Sequence, residues 1–129
     1  MMKDPERCQH NQEIENRISP LVEAFNKCTN TRTFSSCQGH FGFEEPKPVS
    51  GKSYVEFRMP QDKFRELEQA TYNSINGGRC SIWFDQYITG DAYFYGCVYV
   101  IPDEDLGPEE QRQVADEAIC RLAAIIEKL

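Results

Sequence analysis

The sequence predicts an α/β (α+β) two-layer sandwich, a four-stranded and mainly antiparallel sheet with three helices, in the order α-β-β-α-β-β-α. Three observations carry this. Apolar residues return at three- and four-residue spacing in three separate segments, which is the mark of an amphipathic helix. Residues 54–59 alternate apolar and polar, as a half-buried strand does. Two runs rich in aromatic and β-branched residues, 79–88 and 92–101, are joined by Thr89-Gly90-Asp91, which suits a β-hairpin.

In chain order, the first helical segment is 11–28, with Ile14, Ile18, Leu21, Val22 and Phe25 along one face. Pro20 interrupts it. Ser19-Pro20 also reads as an N-cap followed by proline at the first helical position, so the segment is either kinked or divided into two short helices. Thr29-Asn30 ends it, and the Thr- and Ser-rich residues 31–37 around Phe34 form a strand. Residues 38–51 hold Gly39, Gly42, Pro46, Pro48 and Gly51, too many turn formers for a regular element. In the next strand Val55, Phe57 and Met59 face one side, and Tyr54, Glu56 and Arg58 the other. Pro60 stops it. A second helix follows with Phe64, Leu67, Thr71 and Ile75 in line, closed by Asn76-Gly77-Gly78. After the hairpin, Gly107-Pro108-Glu109-Glu110 opens the last helix, with proline in the first turn and acids toward the positive end of its dipole. Its core stripe is Val114, Ala118, Leu122, Ile125 and Leu129. A strand pair followed by a helix occurs twice, which permits an internal repeat, although the halves share no sequence pattern.

A length of 129 residues fits one domain, here 11–129 after a flexible N-terminus at 1–10. The 21 acidic residues against 14 basic ones give a net charge of -7, which argues against non-specific binding of nucleic acid. No apolar run suits a signal peptide or a membrane span, and the last residues hold no lipidation signal. The expected location is therefore the cytoplasm. There the six cysteines are free thiols, with Cys97 and Cys120 serving as small buried hydrophobes.

The densest polar motif is Ser35-Ser36-Cys37-Gln38-Gly39-His40, at the end of a strand. Side chains there project beside loop backbone, where sites are commonly built. Ser35 and Ser36 can donate to a carboxylate or phosphate, and Gly39 lets backbone N–H groups approach an anion. His40 can act as acid, base or hydrogen-bond donor. These make His40 and Cys37 the candidate catalytic residues and Ser35, Ser36 and Gly39 the candidate ligand-binding ones. The bland alternative is a turn with a buried thiol and a surface histidine. For Cys37, a structural or ligand-lining role is preferred to covalent catalysis, because no third residue is identifiable to orient a Cys-His pair.

Leu21-Val22-Glu23-Ala24-Phe25-Asn26 followed by Thr33-Phe34-Ser35-Ser36-Cys37-Gln38-Gly39 resembles the tRNA wybutosine-synthesis methyltransferase family. In that family a similar helix leads into a strand ending in Ser-Ser-Cys-Ser-Gly-Arg. The likeness extends through residues 54–59, the following helix and Asn76-Gly77-Gly78-Arg79-Cys80-Ser81-Ile82, covering about residues 14–84. Gln38 stands where the family has Ser and His40 where it has Arg, so the chain looks like a small divergent relative. The resemblance implies a related fold, a site at the Ser-Ser-Cys motif and S-adenosylmethionine as cofactor.

Other constellations are weaker. Cys8-Gln9-His10 with Cys37 and His40 offers two sulfurs and two nitrogens for zinc, but the spacing is unlike the usual knuckles and no metal is expected. Trp83, Phe84, Tyr87, Tyr93, Phe94, Tyr95 and Tyr99 exceed what one sheet face buries. Such a surface could stack bases, but basic residues do not accompany it in the sequence, so core packing plus a homodimer contact is the reading. Asp103, Glu104, Asp105, Glu109 and Glu110 lack calcium-loop spacing and read as a solvated face. Two functions follow. One is a small-ligand protein for a nucleoside or S-adenosylmethionine-like molecule, extending to a methyltransferase. The other is a non-catalytic acidic module or inhibitor acting through protein contacts.

Overall fold

Phe57, with no exposed surface, marks the centre of the apolar layer between the helices and the sheet. The computed structural model describes residues 16–39, 41, 51–74, 79–88 and 92–129. Its elements are α1 (Ser19–Lys27), β1 (Arg32–Cys37), β2 (Ser53–Pro60), α2 (Gln61–Ser74), β3 (Cys80–Ile88), β4 (Tyr93–Pro102) and α3 (Pro108–Glu127). This is the predicted α+β order. The four strands form one sheet in the order β1-β2-β4-β3, with every neighbouring pair antiparallel.

Pro20 stands at the start of α1 rather than within it, as the divided reading expects, and residues 11–15 lie outside the described residues. It lies in the first turn, where an N–H has no intrahelical acceptor to lose, and Ile18 rather than Ser19 is the N-cap. The Ile18 carbonyl accepts from the N–H groups of Leu21 and Val22 at 3.0 and 3.1 Å. Asn30, at φ 57, then turns the chain through the left-handed region that asparagine tolerates. Pro60 closes β2 while still opposite Tyr93, and the N–H of Gln61 donates to the Ala92 carbonyl at 2.8 Å.

The core is aromatic. Phe25 stacks on Phe57 at 4.2 Å, Phe57 lies 5.2 Å from Phe94, Phe94 stacks on Phe64 at 3.8 Å, and Phe84 meets Phe64 edge-on at 5.2 Å. These rings join α1, β2, β4, α2 and β3 with geometries favourable beyond area burial alone. From α3, Val114, Ala118 and Leu122 are buried as predicted, while Ile125 and Leu129 are half-buried. Gly96 is required here: a Cβ would strike the Asp85 carbonyl and lie 2.8 Å from Phe94 Cζ.

One further sequence expectation is corrected. Cys120 is exposed, because it falls on the solvent side of α3, whereas Cys97 is buried. Cys28, Cys37, Cys80, Cys97 and Cys120 are all free thiols. Burial pushes the Cys80 thiol up to about 11, opposed in part by a hydrogen bond with the backbone of Ile101. Glu104, Asp105, Glu109 and Glu110 are exposed, as a solvated face requires. The expectations for Ile14, Ile75, residues 42–50, Asn76-Gly77-Gly78 and Thr89-Gly90-Asp91 lie outside the described residues. No described helix is long and apolar enough to cross a membrane.

Candidate functional site

Side chains alternate across a strand, so the register decides which motif residues share a surface. Ser35 stands opposite Glu56, Ser36 opposite Val55 and Cys37 opposite Tyr54. Val55 belongs to the buried layer beneath the helices. Ser36 therefore faces the helices, while Ser35 and Cys37 face the other side of the sheet. The expected pairing of Ser35 with Ser36 in one site is overturned by this alternation. His40, Cys8 and His10 lie outside the described residues. Among the described residues no group of His, Cys, Asp or Glu is arranged to hold a metal.

The turn after Cys37 is held from several directions. Gly39 adopts φ 88, and its N–H donates to Cys37 Sγ at 3.4 Å. A Cβ on Gly39 would lie 3.0 Å from the Phe41 ring and 3.1 Å from Ser53 Oγ, so the position requires glycine twice over. Ser53 Oγ donates to the Gln38 carbonyl at 2.6 Å. Arg112, buried in α3, donates from Nη2 to the same carbonyl at 2.8 Å and from Nη1 to the Gly39 carbonyl at 3.1 Å. Its guanidinium lies 4.8 Å from the Phe41 ring centroid and pairs with Asp116 at 2.9 Å. Asp116 also pairs with Arg17, whose own N–H donates to Gln38 Oε1 at 3.1 Å.

Sequence reading missed Arg112, Asp116, Arg17 and Ser53. A signal existed for the first. Arg112, Ala115, Ile119, Leu122 and Ile126 follow helical spacing and are all buried, so a cation heads an apolar stripe. Such a buried guanidinium must be paired and hydrogen-bonded, and here its partners are the turn carbonyls and Asp116.

Ser35 and Cys37 are on the helix-free side, Cys37 buried there with Tyr54 and Cys97, and the register resolves this side into three rows. Cys37, Tyr54, Tyr99 and Trp83 form the first, and Ser35, Glu56, Cys97 and Asp85 the second. Arg32, Arg58 and Tyr95 lie in the third. Each outer strand carries a bulge beside that third row, with Phe34 as the extra residue of β1 and Tyr87 that of β3. A bulge re-aims the side chain it inserts. Both rings consequently flank Tyr95, at 5.3 Å for Phe34 and 5.8 Å for Tyr87. Phe34 is 43% exposed, Tyr87 40% and Trp83 62%, so this is an open aromatic cradle.

Cations do accompany these rings, contrary to the sequence expectation. Lys52 Nζ lies 4.6 Å from the Tyr99 centroid, Arg58 Cζ 4.9 Å from Tyr93 and Arg32 Cζ 5.4 Å from Phe34. All are within cation–π range. They come from β1, β2 and the residue before β2, distant in sequence from the hairpin but adjacent through strand pairing.

The hydroxyls of Tyr87 and Tyr99 hold their protons. Desolvation raises the Tyr87 pKa above the usual tyrosine range, and its hydrogen bond to Tyr99 adds to this, as does nearby Cys97. Tyr99 is raised too, chiefly by desolvation, with the Tyr87 hydrogen bond opposing. At neutral pH both are therefore hydrogen-bonding phenols rather than phenolates. The surface offers stacking rings, carboxylates from Glu56 and Asp85, hydroxyls and cations within one small area.

No protein-family model, curated protein or solved structure matches the chain. The functional reading accordingly rests on these residues and their arrangement.

Proposed function

We propose that the protein binds a nucleoside-containing small molecule on the helix-free face of its sheet. The supporting observation is the cradle itself, in which two bulges, one in each outer strand, turn Phe34 and Tyr87 toward Tyr95. A purine base has the flat faces that such rings stack against, at about 1–3 kcal/mol per base. Glu56 and Asp85, in the next row, suit the hydroxyls of a ribose, the pairing that acidic residues make in dinucleotide sites. Lys52, Arg32 and Arg58 suit an anionic group attached to the nucleoside.

S-adenosylmethionine, the cofactor implied by the resemblance to the wybutosine-synthesis methyltransferases, matches this set of side chains through its adenosine and its carboxylate. It would supply an electrophilic methyl group, which makes methyl transfer the finer form of the proposal. Ser35 shares the face with the cradle and is the candidate to line the ligand, Cys37 is buried in the adjoining row, and His40 is the candidate to take a proton from a methyl acceptor. The clamp of Arg112 and Ser53 on the turn carbonyls serves to hold this edge of the surface in one geometry, a positioning role.

The test is calorimetric titration with adenosine and with S-adenosylmethionine. The expected result is saturable binding of both, weakened about tenfold or more in Phe34→Ala, whose ring stacking is worth more than 1 kcal/mol. Loss of methyl transfer with retained binding in His40→Ala would assign the proton step. Absence of binding by any nucleoside at millimolar concentration contradicts the proposal.

A further inference from the structure

On the other layer, a cavity of about 270 Å³ opens between α2 and the outer strand β3, lined by Glu68, Thr71, Tyr72, Ile82, Trp83 and Phe84. Thr71 is only 4% exposed, and its Oγ1 has no hydrogen-bond partner among the described residues. A buried hydroxyl without a partner costs about 1–3 kcal/mol, so its retention points to an occupant that bonds to it. The volume falls just below the 300–1,000 Å³ typical of small-molecule sites, which suits one long side chain better than a whole cofactor.

The walls decide the chemistry of that side chain. An aliphatic occupant would leave the Thr71 hydroxyl unsatisfied, and a carboxylate would meet Glu68. A guanidinium satisfies both, and its plane stacks on Tyr72, which is 71% exposed at the rim. Among the described residues no lysine or arginine lines the cavity to oppose it.

The surroundings add the direction of approach. The two outer strands are managed differently. On β1 the Thr33 N–H donates to Asn26 Oδ1 of α1 at 3.1 Å, so a helix side chain covers that edge. On β3 the cavity lies alongside the strand, with a helix as its other wall, the arrangement in which an extended peptide adds to an edge and places alternate side chains in pockets. The start of β3 is also acidic. Cys80 is opposite Pro102, the Arg79 carbonyl accepts from the Asp103 N–H, and Glu104, Asp105 and Glu109 are exposed just beyond, while Arg79 is paired with Glu110. In a chain of net charge -7, this charge pattern favours a basic partner.

We infer that the α2–β3 groove docks an extended, arginine-bearing segment of a partner protein, which lies along β3 and inserts one guanidinium between Glu68, Thr71 and Tyr72. The site is independent of the nucleoside reading.

Trp83, the chain's sole tryptophan, stands in β3 between Ile82 and Phe84 of the groove, so its emission reports a segment added along that strand. The probe is a short capped peptide alternating valine and threonine with a central arginine, compared with the same peptide carrying norleucine in its place. A saturable change in Trp83 emission is expected with the arginine peptide, with the norleucine peptide about tenfold weaker and Glu68→Gln weakening the arginine peptide about tenfold. Thr71→Val should weaken peptide binding while raising the Tm of the free protein, a combination that a purely structural threonine would not give. Equal binding of both peptides, no response to either, or an unchanged affinity in Glu68→Gln would overturn the assignment.

Discussion

The two faces of the sheet are made from the same strands, yet they obey different rules. Toward the helices, Val55, Phe57 and Met59 alternate with Tyr54, Glu56 and Arg58 turned away, and the buried set is apolar and close-packed to the point that Gly96 admits no Cβ. On the helix-free face the residues are as aromatic, but they carry hydroxyls, carboxylates and stacked cations, and several stay open to solvent. The first arrangement maximises burial and makes the fold. The second retains polar groups beside exposed rings, a combination that contributes less to stability and more to recognition.

That contrast is broken most severely by truncation. Phe57→Ala should cost about 3–5 kcal/mol in chemical denaturation, because its ring touches both Phe25 and Phe94 in a layer that cannot collapse. Phe34→Ala on the other face should cost less than about 1 kcal/mol, since the ring is half open, while removing most ligand affinity. A comparable stability loss in the two variants would erase the distinction between the faces.

Next in size is the clamp that joins the faces at the sheet edge. Arg112→Ala should destabilise by about 1–3 kcal/mol, chiefly by leaving the Gly39 carbonyl without its donor. Hydrogen exchange should quicken at Gly39. Gly39→Ala should cost about 1–2 kcal/mol through its left-handed backbone, and more if Phe41 and Ser53 cannot move aside.

The pH response sharpens the same comparison. Tyr87 and Tyr99 have pKa values raised in the folded state, so folding retains their protons above about pH 10, where an unfolded tyrosine loses its own. Their contribution is fully present below that pH and is lost as pH rises through the folded values. Stability should therefore decline in alkali, and less steeply in Tyr87→Phe. Smallest of all is the expected effect of Cys120→Ser, which should leave stability within about 0.5 kcal/mol of the parent. Thiol labelling of the native protein near pH 8 should modify exposed Cys120 and spare Cys80, whose pKa is near 11.

Much of the fold was legible because it is written in local periodicity. The alternation at 54–59, the stripe Phe64, Leu67 and Thr71 and the two hairpin runs each identify their element and its buried face. The aromatic cradle was not legible, because a bulge inserts one residue and reverses the alternation after it without any mark in composition. Neither Phe34 nor Tyr87 differs by type from an ordinary strand residue. Lys52, Arg32 and Arg58 joined the hairpin aromatics only through pairing between β1, β2 and β4. Arg112 lies 74 residues from the Gln38 carbonyl it holds, beyond the reach of any local pattern. The Ser35–Cys37 motif spans the strand bordering this surface, but two-residue alternation sent Ser36 to the opposite layer.

The central claim concerns a particular surface, so the most direct measurement locates a bound nucleoside on it. Saturation-transfer NMR between adenosine and protein carrying labelled phenylalanine and tyrosine rings would do so. Transfer to the base protons from Phe34, Tyr87 and Tyr95, lost in Phe34→Ala, is the predicted result. Transfer confined to rings of the helix side such as Phe25 and Phe64, or none at all, would contradict it.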